Sequence, residues 1–300
     1  MSQVWFITGS SRGLGRALAE AVLAAGHRLV ATARDPGQLS DLVERYPDRA
    51  LAVALDVTDR AQVKAAIRAA VDTFGRLDVV VNNAGYANVN AIEDFTEEDF
   101  RGQIETNLWG VINVTRAALP VLREQRSGNI IQISSVGGRD TAPGIGPYQT
   151  AKWAVEGFSG VLQKEVAPLG IHVTLIEPGG FRTDWAGSSM TVHDIREDYR
   201  PTAGRLAERR GSGTTAIGDP RKAAQAILRI SEVETPPLRL LLGSDAYATA
   251  RAADEAKIAS DEEWKELTLS TDADDADLQL DELRRLTGTP GRGAASASQR

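Results

Sequence analysis

Hydrophobic positions along this chain fall into short runs separated by stretches of helical spacing. Aliphatic and β-branched residues, bounded by Gly, Pro or Asp, cluster at residues 4–7, 29–33, 51–55, 77–81, 130–133, 173–176 and 238–242. Runs this short and this continuously apolar predict strands buried on both faces. Between them the apolar period lengthens: Leu14, Leu18, Val22 and Ala25 share one helical face that stops at Gly26. Val63, Ile67, Ala70, Val71 and Phe74 repeat the pattern up to Gly75, with Thr58 as the predicted N-cap. Strands alternating with helices need crossover connections. The pattern therefore predicts an α/β fold with a doubly wound parallel sheet, helices on both faces and a ligand cleft at the carboxyl ends of the strands.

Residues 184–218 break the alternation, mixing Gly, Ser, Arg and Glu with scattered apolar positions just after a strand's carboxyl end. A substrate lid is expected there. No Pro/Gly/Ser-rich linker interrupts the chain before about residue 285, which predicts a single domain over 1–285 and a disordered Gly/Ala/Ser tail over 286–300. Residues 271–282 carry six acids and no base, yet lack the glycine and loop length of a calcium-binding EF-hand. A solvated acidic face is the expectation.

Composition narrows the chemistry. The 300 residues are 42% hydrophobic and carry a formal net charge of −7, which argues against nucleic acid or an anionic membrane as partner, because binding phosphates needs a basic face. With no cysteine there is no disulfide framework, thiolate nucleophile or cysteine-ligated metal, and His27, His172 and His193 match no metal-ligand spacing. No metal is expected. The start of the chain lacks the pattern of a signal peptide and no run approaches the ~20 apolar residues of a membrane span, so a cytoplasmic location is expected. Asn113-Val114-Thr115 matches a glycosylation acceptor, but it falls in a helical stretch and is discounted.

A phosphate-binding turn follows the first strand: Thr8-Gly9-Ser10-Ser11-Arg12-Gly13-Leu14-Gly15. Gly9, Gly13 and Gly15 allow a tight turn and close approach of backbone to a pyrophosphate, and Ser11, Arg12 and Leu14 complete the cradle at a helix start. At the end of the second strand stands Arg34, where an acidic residue would accept ribose hydroxyls in an NAD-selective site. Arg34 together with Arg12 offers forked donors to a 2′-phosphate, so NADP(H) is favoured over NAD(H), with Asp35 as the competing ribose ligand under a shifted alignment. Tyr148 and Lys152 stand four residues apart, one helical turn. A tyrosine hydroxyl with its ordinary pKa of about 10 is a poor acid or base at neutral pH, and a neighbouring ammonium favours the phenolate.

Together with Asn82-Asn83-Ala84-Gly85, Asn107 within Glu-Thr-Asn-Leu, Ser135 within Ile-Ser-Ser, and Pro178-Gly179, these motifs resemble the short-chain dehydrogenase/reductase family in order and spacing over residues 4–245. The resemblance implies a seven-stranded Rossmann-like sheet and a catalytic set of Asn107, Ser135, Tyr148 and Lys152. Tyr148 would give its proton to a carbonyl oxygen, Ser135 would hold that oxygen, Lys152 would tune the tyrosine and contact the nicotinamide ribose, and Asn107 would position a water. Ser135 is preferred to Ser134 because it stands thirteen residues before Tyr148 and because strand alternation turns Ser134 away. Further cofactor contacts are implied for Asp56 and Val57 at the adenine, for Asn83, Ala84 and Gly85, and for Pro178, Gly179 and Thr183 at the carboxamide. A helix N-cap is the other reading of Thr183. The implied activity is hydride transfer between NADPH and a ketone or aldehyde, or the reverse from a secondary alcohol, with reduction the expected direction. The alternative is a non-catalytic NADP(H)-binding sensor or scaffold, against which the complete catalytic set argues. The Tyr148–Lys152 spacing differs from the enoyl reductase branch and the glycine spacing from the extended branch. Trp185, Met190 and Tyr199 suggest an apolar small-molecule substrate. A homodimer or homotetramer is implied through the helix carrying Tyr148, where Trp153, Val155, Phe158 and Val161 serve either that interface or the chain's own core.

Overall fold

The computed structural model describes residues 2–183, 189–211 and 216–272. In chain order its elements are β1 (Val4–Ile7), α1 (Gly13–Ala24), β2 (Arg28–Ala33), α2 (Ser40–Arg45), β3 (Ala50–Ala54), α3 (Arg60–Phe74), β4 (Val79–Asn82), β5 (Ala87–Val89), α4 (Glu97–Ile104), α5 (Gly110–Gln125), β6 (Gly128–Ile133), α6 (Gly146–Val166), β7 (Ile171–Pro178), β8 (Met190–Val192), α7 (Arg205–Gly211), α8 (Pro220–Ser231), β9 (Arg239–Leu242), α9 (Ser244–Glu263) and α10 (Lys265–Leu269). Seven strands form one parallel sheet in the order β3-β2-β1-β4-β6-β7-β9. Strand order reverses at β1, which opens a crevice between the loops that follow β1 and β4.

The alternation of side chains along each strand divides the core between two faces. Trp5 and Ile7 of β1 face α1 and α8, where Leu18, Val22 and Ile227 bury against them. Phe6 points the other way, to Ile67 of α3, Val114 of α5 and Leu162 of α6. The run predicted at 77–81 starts later in the sheet, at Val79, because Leu77 is bound at both its N–H and its carbonyl by the Gln125 side chain (3.0 and 2.6 Å). Helix α3 ends as expected, with Gly75 left-handed at φ 76°. Its start corrects the expected cap. The Asp59 carboxylate, not Thr58, accepts from Ala61 N and Gln62 N, while the Thr58 hydroxyl is drawn back to Asp56 Oδ1 at 2.7 Å. Asn113 lies in α5 and donates to the Val57 carbonyl at 3.1 Å.

A second, two-stranded parallel sheet joins β5 to β8, which the sequence pattern had not predicted because each strand has three residues. It ties the start of the 184–218 stretch to the rim of the crevice. Beyond β8, His193 Nε2 lies 3.1 Å from Asp99 Oδ2, Arg196 pairs with Glu93 at 3.2 Å, and the Tyr199 hydroxyl donates to Glu93 at 2.6 Å. Residues 184–188, with Trp185, and 212–215 lie outside the described residues, as do the 286–300 tail and the acidic stretch from residue 273. The chain divides into two compact units, residues 1–253 and 254–300. The first holds both sheets and every candidate site residue; the described part of the second is the end of α9 and α10. Among the described residues no helix is long and apolar enough to cross a membrane.

Candidate active site

The crevice is built where the end of β1 meets the end of β4. Thr8 joins the two: its hydroxyl accepts from Asn83 N and Ala84 N, both at 2.9 Å, while Asn83 Nδ2 donates back to the carbonyls of Thr8 and Gly9 at 2.8 and 3.0 Å. Gly9 turns the chain with φ 67°, a conformation that favours glycine. At Gly15 the reason for glycine is space, since a Cβ there would overlap the Gly9 carbonyl oxygen and the Asn83 amide. Helix α1 then starts at Gly13 with Arg12 extended (φ −153°) as N-cap, no described side chain capping it and no acid in its first turn. Its opening N–H groups are thus left for an external anion, and the residues present fit the pyrophosphate of a dinucleotide. Ser11 and Leu14 are half-buried in this turn and Arg12 is exposed at its rim.

Several of the remaining candidates follow the carboxyl ends of other strands. Arg34 is exposed directly after β2. Asp35 is exposed and its Oδ1 accepts from Gly37 N at 3.0 Å as the cap of the next turn. Asp56 is held by Thr58, and Val57 is buried against Gly110. On the far wall, Pro178 ends β7 and Gly179 N bonds Leu242 O at 2.9 Å. Thr183 lies against the glycine turn: a Cβ on Gly13 would sit 3.6 Å from Thr183 Cβ. Sequence reasoning missed Asp245, whose carboxylate accepts from Gly180 N at 2.7 Å and leaves no room for a side chain at Gly179. Its distance along the chain gave no signal.

Helix α6 brings Tyr148 and Lys152 to one buried face. Lys152 Nζ donates to the Ile133 carbonyl at 2.6 Å and lies 5.5 Å from the centre of the Tyr148 ring. Burial pushes the Lys152 ammonium down to about 8, opposed by the charge of Glu156. Two residues beyond Ile133, Ser135 caps a short 3-10 turn, its Oγ accepting from Gly137 N at 3.0 Å. The neighbouring Ser134 is buried, with no hydrogen-bond partner for its Oγ among the described residues. Asn107 occupies a five-residue π turn, Glu105–Trp109, between α4 and α5. Its amide pairs with the Tyr86 backbone, Oδ1 accepting from Tyr86 N at 3.0 Å and Nδ2 donating to Tyr86 O at 2.8 Å, and Gly85 leaves space for it. Tyr148 also faces an apolar cluster of Ala87, Val89, Ile145, Met190, Leu206 and Ala207. Of the residues expected to suggest an apolar substrate, Met190 belongs to this cluster, and Tyr199 is turned to Glu93 at the surface.

Known proteins are similar to this chain in sequence and fold. The model of the short chain dehydrogenase family matches residues 3–192. An oxidoreductase of Botryotinia fuckeliana is 53% identical over 274 residues, which span 90% of this chain and 100% of that protein. A short-chain dehydrogenase from Streptomyces avermitilis superposes with a TM-score of 0.86 at 39% identity, covering 91% of this chain and 100% of the other. A short-chain dehydrogenase/reductase from Burkholderia phymatum, solved in complex with NAD, gives a TM-score of 0.72 at 25% identity, covering 83% and 92%. With its seven-stranded Rossmann-like sheet and its glycine turn at the strand-order reversal, the chain belongs to the short-chain dehydrogenase family of oxidoreductases, which work with nicotinamide cofactors.

Proposed function

We propose that this protein is an NADPH-dependent carbonyl reductase acting on an apolar ketone or aldehyde, with Tyr148 as general acid. The observation that carries the reading is the buried Lys152 ammonium beneath the Tyr148 ring, 5.5 Å from its centre and fixed by the Ile133 carbonyl. A cation in that place stabilises the phenolate left when Tyr148 gives up its proton. Ser135, at the start of the turn beside Tyr148, holds the carbonyl oxygen as charge develops on it. Asn107 braces the Tyr86 backbone and so keeps the Asn83–Gly85 loop in shape. The bound nicotinamide supplies the hydride in reduction and accepts it in the reverse reaction. Arg34 and Arg12 bind the 2′-phosphate, their forked donors favouring NADP(H) over NAD(H). The apolar side chains around Tyr148 favour a substrate with aliphatic or aromatic flanks.

The test is NADPH oxidation with a panel of aliphatic, aromatic and polycyclic ketones, repeated with NADH. Tyr148→Phe is expected to lower kcat by roughly two to four orders of magnitude, the usual worth of a positioned acid. Arg34→Ser is expected to cut the NADPH preference about tenfold or more, the value of one charge-assisted hydrogen bond. Tight NADPH binding with no turnover of any carbonyl would overturn the reading.

A further inference from the structure

Beneath the proposed proton-transfer pair lies a cluster of buried charges that the reaction does not use directly. Tyr148, Lys152 and Glu156 follow one another on α6 at one-turn intervals, so Glu156 underlies Lys152 as Lys152 underlies Tyr148. Lys152, Glu156 and Glu177 are 4%, 5% and 0% exposed. Two guanidiniums close the cluster from the solvent side. Arg239 of β9 reaches Glu156 Oε2 at 2.8 Å and Glu177 Oε1 at 3.5 Å, and Arg139 reaches Glu177 Oε2 at 3.2 Å.

Burying this many ions seldom stabilises a fold against an apolar replacement of the same size, because the desolvation cost offsets the attraction. The arrangement makes better sense as electrostatics directed at the lysine. Glu156 Oε1 is buried with no hydrogen-bond partner among the described residues, so its charge acts across a poorly polarisable interior, where Coulomb terms are strong. It is the group that opposes the desolvation of Lys152. Burial and the Glu156 charge push the Glu177 carboxyl up to about 7, and the charges of Arg139 and Arg239 oppose that rise. Among the described residues, the elements packed on α6 bring no other carboxylate to the lysine: Asp99 of α4 turns to Asn88 and His193, and Glu105 of the π turn is exposed.

We propose that Glu156 is a positioning residue for the reaction, its carboxylate fixed by Arg239 and set against Glu177 so that the Lys152 ammonium stays charged beneath Tyr148. This rests on the reading of Tyr148 and Lys152 given above. Loss of the Lys152 charge then sets the alkaline limb of the reductase profile.

The experiment is kcat/KM against pH for NADPH-dependent ketone reduction by the full chain and by Glu156→Gln, Glu156→Asp and Arg239→Gln, with Tyr148→Phe alongside. Glu156→Gln is expected to shift the alkaline limb toward neutrality by on the order of one pH unit, and Glu156→Asp to restore it toward the wild-type position. Arg239→Gln removes a cation from a side chain that is 40% exposed, and so should fold even if the glutamate variants do not. Its limb is expected to move the same way as that of Glu156→Gln and by less, because Glu156 loses the group that fixes it. Variants that lose rate with the limb unmoved would reduce Glu156 to a structural role and overturn the proposal. Full activity in Tyr148→Phe would instead overturn the assignment of Tyr148 and Lys152, so the two failures are distinguishable.

Discussion

Gly15 and Lys152 show how single residues are constrained by what surrounds them. At Gly15 the opposing surfaces are the Gly9 carbonyl, which is backbone, and the Asn83 side-chain amide, which is held by the carbonyls of Thr8 and Gly9. Gly15→Ala must therefore push the glycine turn open, at a cost of about 1–3 kcal/mol for an overpacked site. We expect a lowered melting temperature and loss of NADPH binding by fluorescence titration; unchanged affinity would count against the placement of the cofactor. Lys152 is held at about 8 by burial, below the ordinary lysine value of 10.5. Between those values the unfolded chain binds the extra proton, so stability rises with pH across that window, and below pH 8 the buried ammonium costs about 3 kcal/mol. Lys152→Met is expected to abolish reduction yet raise the melting temperature at neutral pH. The gain falls short of the full cost because the Ile133 carbonyl loses its donor, and it shrinks as pH rises toward 10. A lower melting temperature at neutral pH would contradict the burial argument.

Elements are held in place by their ends. Gly75 closes α3 at φ 76°, with open space where a side chain would go. Gly75→Ala therefore meets backbone strain alone, and thermal denaturation should show about 1–2 kcal/mol lost. The opposite end of α3 shows why caps are harder to infer: Thr58 and Asp59 are both good capping residues, and the choice fell to Asp59 because Asp56 claims the Thr58 hydroxyl. The stretch after β8 is fastened by pairing with β5 and by Arg196 and Tyr199 on Glu93. If this stretch roofs the substrate cleft, Arg196→Ala should raise KM for the ketone severalfold and leave NADPH affinity alone, since an exposed ion pair contributes at most about 1 kcal/mol. Equal losses in both would place the effect on the fold instead.

For the molecule as a whole, the outer face of α6 is the feature that points beyond one chain. Of the four apolar residues whose role the sequence left open, Val155 is buried and Phe158 is half-buried in the core, whereas Trp153 and Val161 are 40% and 59% exposed. Gly157 and Gly160 lie among them with open space above their backbones. A flat apolar stripe of this kind suits a second copy of the chain. Light scattering after size exclusion is expected to give a dimer or tetramer for the native protein and a monomer for Trp153→Glu/Val161→Glu. A native monomer would remove the assembly from the account.

The amino-acid sequence by itself determined the seven strands of the main sheet, the glycine turn after β1 and the Tyr148–Lys152 pair. Each depends on neighbours along the chain: an apolar run of fixed length, a glycine where φ must be positive, two side chains one helical turn apart. Only the tertiary structure decided which distant groups meet. Arg239 reaches Glu156 from 83 residues away, and Gly180 reaches Asp245 from 65. The short β5–β8 pairing likewise joins segments whose three-residue strands carry too little pattern to announce themselves. The physical reason is that local periodicity selects elements, whereas the order of strands in the sheet selects partners, and that order is settled by burial of both faces at once.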